Sequence, residues 1–68
     1  MTVSQKNAEK AYPILVRKYI ATQYSVEDEL AILNNYATDP TKYATEYQNY
    51  QTFRAECKAR AKAELGLI

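Results

Sequence analysis

Histidine and tryptophan are absent from this 68-residue chain, and cysteine occurs only once. A single cysteine cannot form an internal disulfide, which excludes a disulfide-stapled mini-protein. Without histidine, the chain also has too few of the usual ligands for a structural zinc site. We therefore expect neither a metal nor a cofactor.

Long apolar runs are also absent. The longest has four residues, whereas a membrane-spanning helix needs about 20. The first ten residues, MTVSQKNAEK, lack the apolar segment of a signal peptide. We therefore expect a cytoplasmic protein with no membrane partner.

Residues that break helices are scarce, since the chain has one glycine and two prolines, Pro13 and Pro40. This scarcity favours a few long helices over β-hairpins. The length predicts one small domain over residues 1–68. Its core should be thin, because ten alanines and seven tyrosines make up much of the 47% hydrophobic content.

A middle helix is predicted to begin after Ser25, an N-cap residue followed by three acids. Asp28 stands three residues after Ser25, as in a capping box. The helix should end near Ala37. Its predicted buried stripe consists of Val26, Leu30, Leu33 and Ala37, widened by Ile32 and Tyr36.

A long C-terminal helix is predicted from Pro40 to Leu65, with Asp39 as N-cap and Gly66 as the terminating residue. One face of this helix carries mainly aromatic and apolar residues. They are Tyr43, Tyr47, Tyr50, Cys57, Ala61 and Leu65, with Phe53 beside them.

The N-terminal third is predicted to hold a short helix from Pro13 to about Thr22, because an interior proline destabilises a helix. Residues 1–11 are then frayed or form a separate turn. The predicted fold class is all-α, with a short N-terminal helix followed by an antiparallel helical hairpin whose C-terminal arm is long.

Charge is unevenly distributed along the chain. Residues 1–24 carry four bases and one acid, residues 25–41 carry four acids and no base, and residues 42–68 carry five bases and three acids. These values, +3, −4 and +2, give the net charge of +1. Such a small net charge gives no overall attraction to nucleic acid, so no nucleic-acid partner is expected, and the acidic middle helix suits packing between basic ones.

Arg54 lies within the aromatic face of the C-terminal helix, where a lone guanidinium is costly to bury. An antiparallel register places residues 24–29 opposite 49–54. Arg54 is therefore expected to pair with Glu27 or Glu29, to stack on Tyr50, or to lie at the edge of an interface.

Seven tyrosines exceed ordinary usage, which indicates packing within the chain, a partner surface, or both. Candidate interaction residues all lie on the C-terminal helix. They are Tyr43, Tyr47, Tyr50, Phe53, Arg54, Cys57, Lys58, Ala61 and Leu65.

Catalysis has little support, because the chain lacks histidine and a glycine-rich loop. Cys57 is interpreted as a small buried hydrophobe, although nearby Arg54 and Lys58 leave a reactive thiol open as an alternative. We expect that the protein is not an enzyme.

The stretches YSVEDELAILNN (24–35) and YQNYQTFRAECKARAKAELG (47–66) resemble small proteins encoded by tailed phages and prophages near tail genes. The similar features are a Tyr-Ser-x-x-Asp-Glu-Leu-Ala-Ile block and a later Glu-Cys-Lys-Ala segment. The resemblance covers about two-thirds of the chain. It implies a viral origin and a role in virion assembly, and it assigns no catalytic residue.

The sequence thus predicts a helical protein–protein interaction module, acting in virion or tail assembly or in binding a host factor. Self-association as a homodimer is expected if Cys57, Ala61 and Leu65 are not covered by the N-terminal helix. The alternative is a regulatory protein that binds nucleic acid through Arg54, Lys58, Arg60 and Lys62.

Overall fold

Three α-helices occur in the part of the chain that the structure describes: α1 (Val3–Ile20), α2 (Val26–Thr38) and α3 (Ala44–Leu65). The structure is a computed structural model that describes residues 3–67, with side chains described from residue 6 onward. No β-strand occurs between residues 3 and 67. The predicted all-α fold class is therefore confirmed.

Helix α1 is long and continues through Pro13, so the prediction of a short helix over 13–22 is wrong. Residues 3–11 are helical, and residues 1 and 2 lie outside the described part. Pro13 cannot donate to the Glu9 carbonyl, but both residues are exposed, so water can satisfy that carbonyl. Packing of the buried Val16 and Ile20 stabilises the helix beyond the proline.

The start of α2 is confirmed as a capping box. The Ser25 hydroxyl accepts a hydrogen bond from the Asp28 N–H at 3.0 Å, and the Asp28 carboxylate accepts one from the Ser25 N–H at 3.0 Å. Two backbone donors that the first turn would leave unpaired are satisfied reciprocally. Local sequence alone therefore determines where α2 begins.

The predicted buried stripe of α2 is wrong for its four main residues, and only the two residues expected to widen it, Ile32 and Tyr36, face inward. Val26, Leu30 and Leu33 are exposed, as is Ala37, whereas Glu29 and Ile32 are buried. The inward face of α2 consists of Glu29, Ile32 and Tyr36, about a quarter turn away from the predicted one. Partners on the other helices cause this rotation.

Helix α3 begins four residues later than predicted. Asp39 precedes a turn over residues 40–43 that begins with Pro40, and Tyr43 is the N-cap, without a side-chain hydrogen bond. The capping chemistry of Asp39 is nevertheless present, since its carboxylate accepts from the Lys42 N–H at 3.0 Å. That bond closes the turn between α2 and α3.

The end of α3 at Gly66 is confirmed. Gly66 has a φ of 69°, a left-handed conformation that glycine adopts without steric cost. Its N–H donates to the Ala63 carbonyl and the Leu67 N–H donates to the Lys62 carbonyl. This pair of bonds is the Schellman motif.

The core lies between α1 and the C-terminal half of α3. Its buried members are Val16, Tyr19, Ile20, Cys57 and Ala61. At the other half of α3, the ring of Tyr36 stacks on that of Tyr47, with centroids 3.8 Å apart. Helix α3 thus contacts α1 and α2 in turn along its length.

The homodimer prediction required that the N-terminal helix leave Cys57, Ala61 and Leu65 uncovered. Helix α1 covers Cys57 and Ala61, so this requirement is not met at these two residues. Leu65, near the end of α3, is half-buried within the chain. Any self-association would have to use a different surface.

Ala61 gives a test of the α1–α3 contact, because it is 0% exposed. Ala61→Leu is expected to destabilise the fold by about 1–3 kcal/mol, since extra methylenes enter a filled contact. Ala59→Leu on the exposed side of α3 is the matched control and should change stability by about 0.5 kcal/mol or less. Urea unfolding followed by circular dichroism measures both, and equal effects would contradict the packing.

Candidate functional site

One buried carboxylate, Glu29, receives hydrogen bonds from both neighbouring helices. Nη1 of Arg17 donates to its Oε2, and the Tyr50 hydroxyl donates to its Oε1 at 2.5 Å. Arg17 belongs to α1, Glu29 to α2 and Tyr50 to α3. This triad therefore joins the three helices through side chains.

The pKa values of Glu29 and Tyr50 shift in opposite directions. Burial raises the pKa of Glu29, but the hydrogen bonds from Tyr50 and Arg17 and the charge of Arg54 outweigh it, so the net shift is downward. Burial, together with the bond to Glu29, raises the pKa of Tyr50 to about 12. Near neutral pH the carboxylate is ionised and the phenol is neutral, which suits a structural bond.

Tyr24 packs against the same part of α3. Its ring makes edge contacts with Tyr50 at 5.2 Å and with Phe53 at 5.6 Å between centroids. Tyr24 lies in the segment that connects α1 to α2. These contacts hold that connection against α3, and sequence reasoning missed them because Tyr24 lies outside any helical periodicity.

Arg54 was predicted to pair with Glu27 or Glu29, but it pairs with neither. Within the described residues, Arg17–Glu29 and Arg60–Glu64 are the ion pairs. The predicted stacking is confirmed, since the Arg54 guanidinium lies 5.6 Å from the centre of the Tyr50 ring. Arg17 takes the position beside Glu29 that was expected for Arg54.

The guanidinium of Arg54 is poorly satisfied. Its Nη1 donates to Gln51 Oε1 over a long 3.4 Å, and its buried Nε has no hydrogen-bond partner. Most buried polar groups in proteins do have a partner. Arg54 therefore lacks a hydrogen-bond acceptor for its Nε.

An open cleft of about 250 Å³ lies beside Arg54. Residues of all three helices form it, with apolar side chains from α1 and cationic ones from α1 and α3. They are Tyr12, Pro13, Val16, Arg17, Ile20, Glu29, Arg54 and Lys58.

The remaining bases of α3 point to other partners. Arg60 binds Glu64 at 3.2 Å and lies over the Tyr19 ring at 4.1 Å, and Tyr19 also donates to Glu64. The hydrogen bond from Tyr19 is the main cause of a lowered Glu64 pKa. Lys62 lies 5.8 Å from the centre of the Tyr12 ring. Of the four bases of the nucleic-acid alternative, Arg60 is thus engaged by Glu64 and Tyr19, whereas Lys62 lies beside Tyr12, which lines the same cleft as Arg54 and Lys58.

The candidate interaction residues differ in burial. Tyr50, Cys57 and Ala61 are buried, and Lys58 is exposed. The half-buried ones are Tyr43, Tyr47, Phe53, Arg54 and Leu65. These residues form the face of α3 that α1 and α2 contact, so packing within the chain already occupies much of it.

Burial raises the pKa of the Cys57 thiol, which fits a small buried hydrophobe better than a reactive thiolate. Among the described residues, no three His, Cys, Asp or Glu side chains come together where they could hold a metal ion. None of the described helices has the length and apolar character needed to cross a membrane.

The outer face of α2, defined here as Val26, Leu30 and Leu33, is an exposed apolar surface that was predicted to be buried. Val26 and Leu30 are each 55% exposed and Leu33 is 42% exposed. Steps of four and three residues place the three side chains in one row. The sequence revealed this row, but its periodicity alone indicated burial and not exposure.

Tyr50→Phe tests the triad through pH. A Tyr50 pKa of about 12, against the ordinary tyrosine value of 10.0, means that the hydroxyl stabilises the fold fully below pH 10. This contribution is lost as the pH rises from 10 to 12. The difference in unfolding free energy between wild type and Tyr50→Phe should therefore be constant to pH 10 and shrink above it. Tyr47→Phe is the control for loss of a hydroxyl from the same helix, and an unchanged difference at pH 11 would contradict the bond.

Double-mutant cycles distinguish the two arginines near Glu29. Arg17→Gln with Glu29→Gln should show a coupling energy of about 1–2 kcal/mol, because the pair is partly exposed. Arg54→Gln with Glu29→Gln should show about 0.5 kcal/mol or less, because no direct bond joins them. Urea unfolding of the single and double variants measures both. A larger coupling for Arg54 would mean that Arg54 is the true partner.

Similarity to known proteins does not assign a function. Comparison of the chain with protein-family models, curated proteins and solved structures found no match. The resemblance to small phage proteins stays a prediction, and function has to be argued from the surfaces just described.

Proposed function

We propose that this protein is a small helical interaction module that binds another protein through the outer face of α2. One observation carries the proposal: Val26, Leu30 and Leu33 form an exposed aliphatic row on a chain with few buried apolar residues. Single exposed apolar residues are ordinary, but a contiguous row is typical of an interaction site. Amphipathic helices recognise partners through residues at this spacing.

The partner best suited to this face is an amphipathic helix with basic residues beside its apolar stripe. Glu27 and Asp28 are exposed in the first turn of α2, and residues 25–41 contain no base. If two copies of α2 packed in parallel, the acids of their first turns would lie side by side and repel. If they packed antiparallel, the acids of each copy would lie beside the negative C-terminal end of the other helix. Charge complementarity therefore favours a different protein over a second copy.

An antiparallel hairpin of α2 and α3 is the proposed frame for this surface. Two contacts support it, because Glu29 binds Tyr50 while the later Tyr36 stacks on the earlier Tyr47. The short turn over 40–43 also suits antiparallel neighbours. A hairpin holds the outer face as a rigid, preformed surface, which lowers the entropic cost of binding.

The resemblance to tailed-phage proteins supports a role in virion or tail assembly, or in binding a host factor. Both roles require protein–protein contact and no chemical step. We propose no enzymatic activity, in keeping with the lack of a histidine and with the raised pKa of Cys57.

An NMR titration tests the proposal. The probe is an 18-residue helical peptide with leucines in one stripe and lysines beside it. Amide shift changes are expected on α2, and the dissociation constant should be micromolar. The same peptide with glutamates in place of lysines should bind at least about tenfold more weakly, because the charges then repel.

Variants of the outer face provide the controls. Leu30→Gln and Leu33→Gln should each reduce affinity for the lysine peptide at least about tenfold without lowering the melting temperature, since these side chains are exposed. Ala31→Gln, on another exposed side of α2, should leave affinity unchanged. Peptide-induced shifts outside α2, or no binding at millimolar peptide, would contradict the proposal. Sedimentation showing dimers that Leu30→Gln dissociates would assign the face to self-association instead.

A further inference from the structure

The cleft beside Arg54 has an excess of positive charge. Arg17, Arg54 and Lys58 line it, and Glu29 is the one carboxylate among the lining residues. Three cations against one anion leave a local charge of +2. Both oxygens of Glu29 already accept bonds, from Arg17 and Tyr50, so this carboxylate does not satisfy the other two cations.

Arg54 is the least satisfied of the three. Its buried Nε has no partner, and its Nη1 makes only the long bond to Gln51. A guanidinium presents donors in a planar fork that matches a carboxylate. The side chain lines the cleft, so the guanidinium is placed to bind a carboxylate there.

The α1 wall of the cleft is mainly apolar. Tyr12, Pro13, Val16 and Ile20 of α1 form it. The volume of the cleft, about 250 Å³, is below the range of roughly 300–1,000 Å³ of most small-molecule sites. The cleft is therefore suited to a small ligand with an anionic end and a short apolar body.

We propose that this cleft binds a small amphipathic carboxylate, with Arg54 and Lys58 holding the carboxylate and the α1 wall holding the apolar body. The ligand is either a free carboxylate or an acidic side chain next to an apolar one in a peptide. The site lies apart from the outer face of α2 and does not depend on the function proposed for that face.

Binding is tested by NMR titration of the full chain with phenylacetate, which joins a carboxylate to a ring. Amide shifts should change around residues 12–20 and 54–58, with a dissociation constant on the order of 1 mM for ten heavy atoms. Phenylacetamide, which lacks the charge, and inorganic phosphate, which lacks the apolar body, should each bind at least about tenfold more weakly. Equal binding of phenylacetate and phenylacetamide, or tighter binding of phosphate, would overturn the proposal.

Variants assign the contact to named residues. Arg54→Gln should weaken phenylacetate binding about tenfold or more. Lys58→Gln should weaken it about threefold, and because Lys58 is exposed this variant tests the site even if Arg54→Gln fails to fold. Lys18→Gln removes an exposed charge of α1 outside the cleft and should change affinity less than twofold. Loss of binding in Lys18→Gln equal to that in Lys58→Gln would show a general charge effect and overturn the site.

A peptide arm distinguishes the two sources of the carboxylate. The blocked tripeptides Ala-Glu-Phe and Ala-Gln-Phe are compared in the same titration. Tighter binding of the glutamate peptide, at the same amides as phenylacetate, would assign the site to acidic side chains. Binding of phenylacetate alone would assign it to a free small carboxylate, and absence of shift changes in the cleft with every probe at about 20 mM would refute both.

Discussion

The arrangement of the three helices depends on the burial of one carboxylate, Glu29. A buried charge is costly unless it is paired and hydrogen-bonded. Its donors come from two different helices, Arg17 on α1 and Tyr50 on α3. Glu29 can therefore be buried only when all three helices are in place. The triad thus couples the position of each helix to the positions of the other two.

This constraint explains why α2 does not bury its aliphatic row. A rotation of about a quarter turn would bring Val26, Leu30 and Leu33 onto α3, but it would carry Glu29 away from Arg17 and Tyr50. The observed orientation keeps the charged bonds and the stacked Tyr36–Tyr47 pair. The exposed row is thus a direct consequence of polar and aromatic contacts, and it supplies the surface on which the proposed interaction depends.

Sequence reasoning succeeded at two helix ends where the chemistry is local, although the local signal at Asp39 placed the start of α3 four residues too early. The capping box at Ser25 and the left-handed Gly66 involve partners within a few residues, so their signals are readable from the chain. It failed where partners are distant in sequence. The orientation of α2 is fixed by Arg17 and Tyr50, which lie 12 and 21 positions away from Glu29 in the sequence. The continuity of α1 through Pro13 is supported by packing on α3. Apolar periodicity could not reveal either, because it assumes that the apolar side of a helix is its buried side.

The same triad also accounts for the cationic cleft. Arg17 holds Glu29, so the acid that could have neutralised Arg54 is already bonded, and Arg54 is left with the face of Tyr50 and a long bond to Gln51. An aromatic face attracts a cation but accepts no conventional hydrogen bond, so it stabilises the charge without satisfying Nε. One buried carboxylate, bonded to only one of three nearby cations, therefore leaves two unfilled surfaces, an aliphatic row on α2 and an anion-deficient cleft beside α1. Each is complementary to a different chemistry.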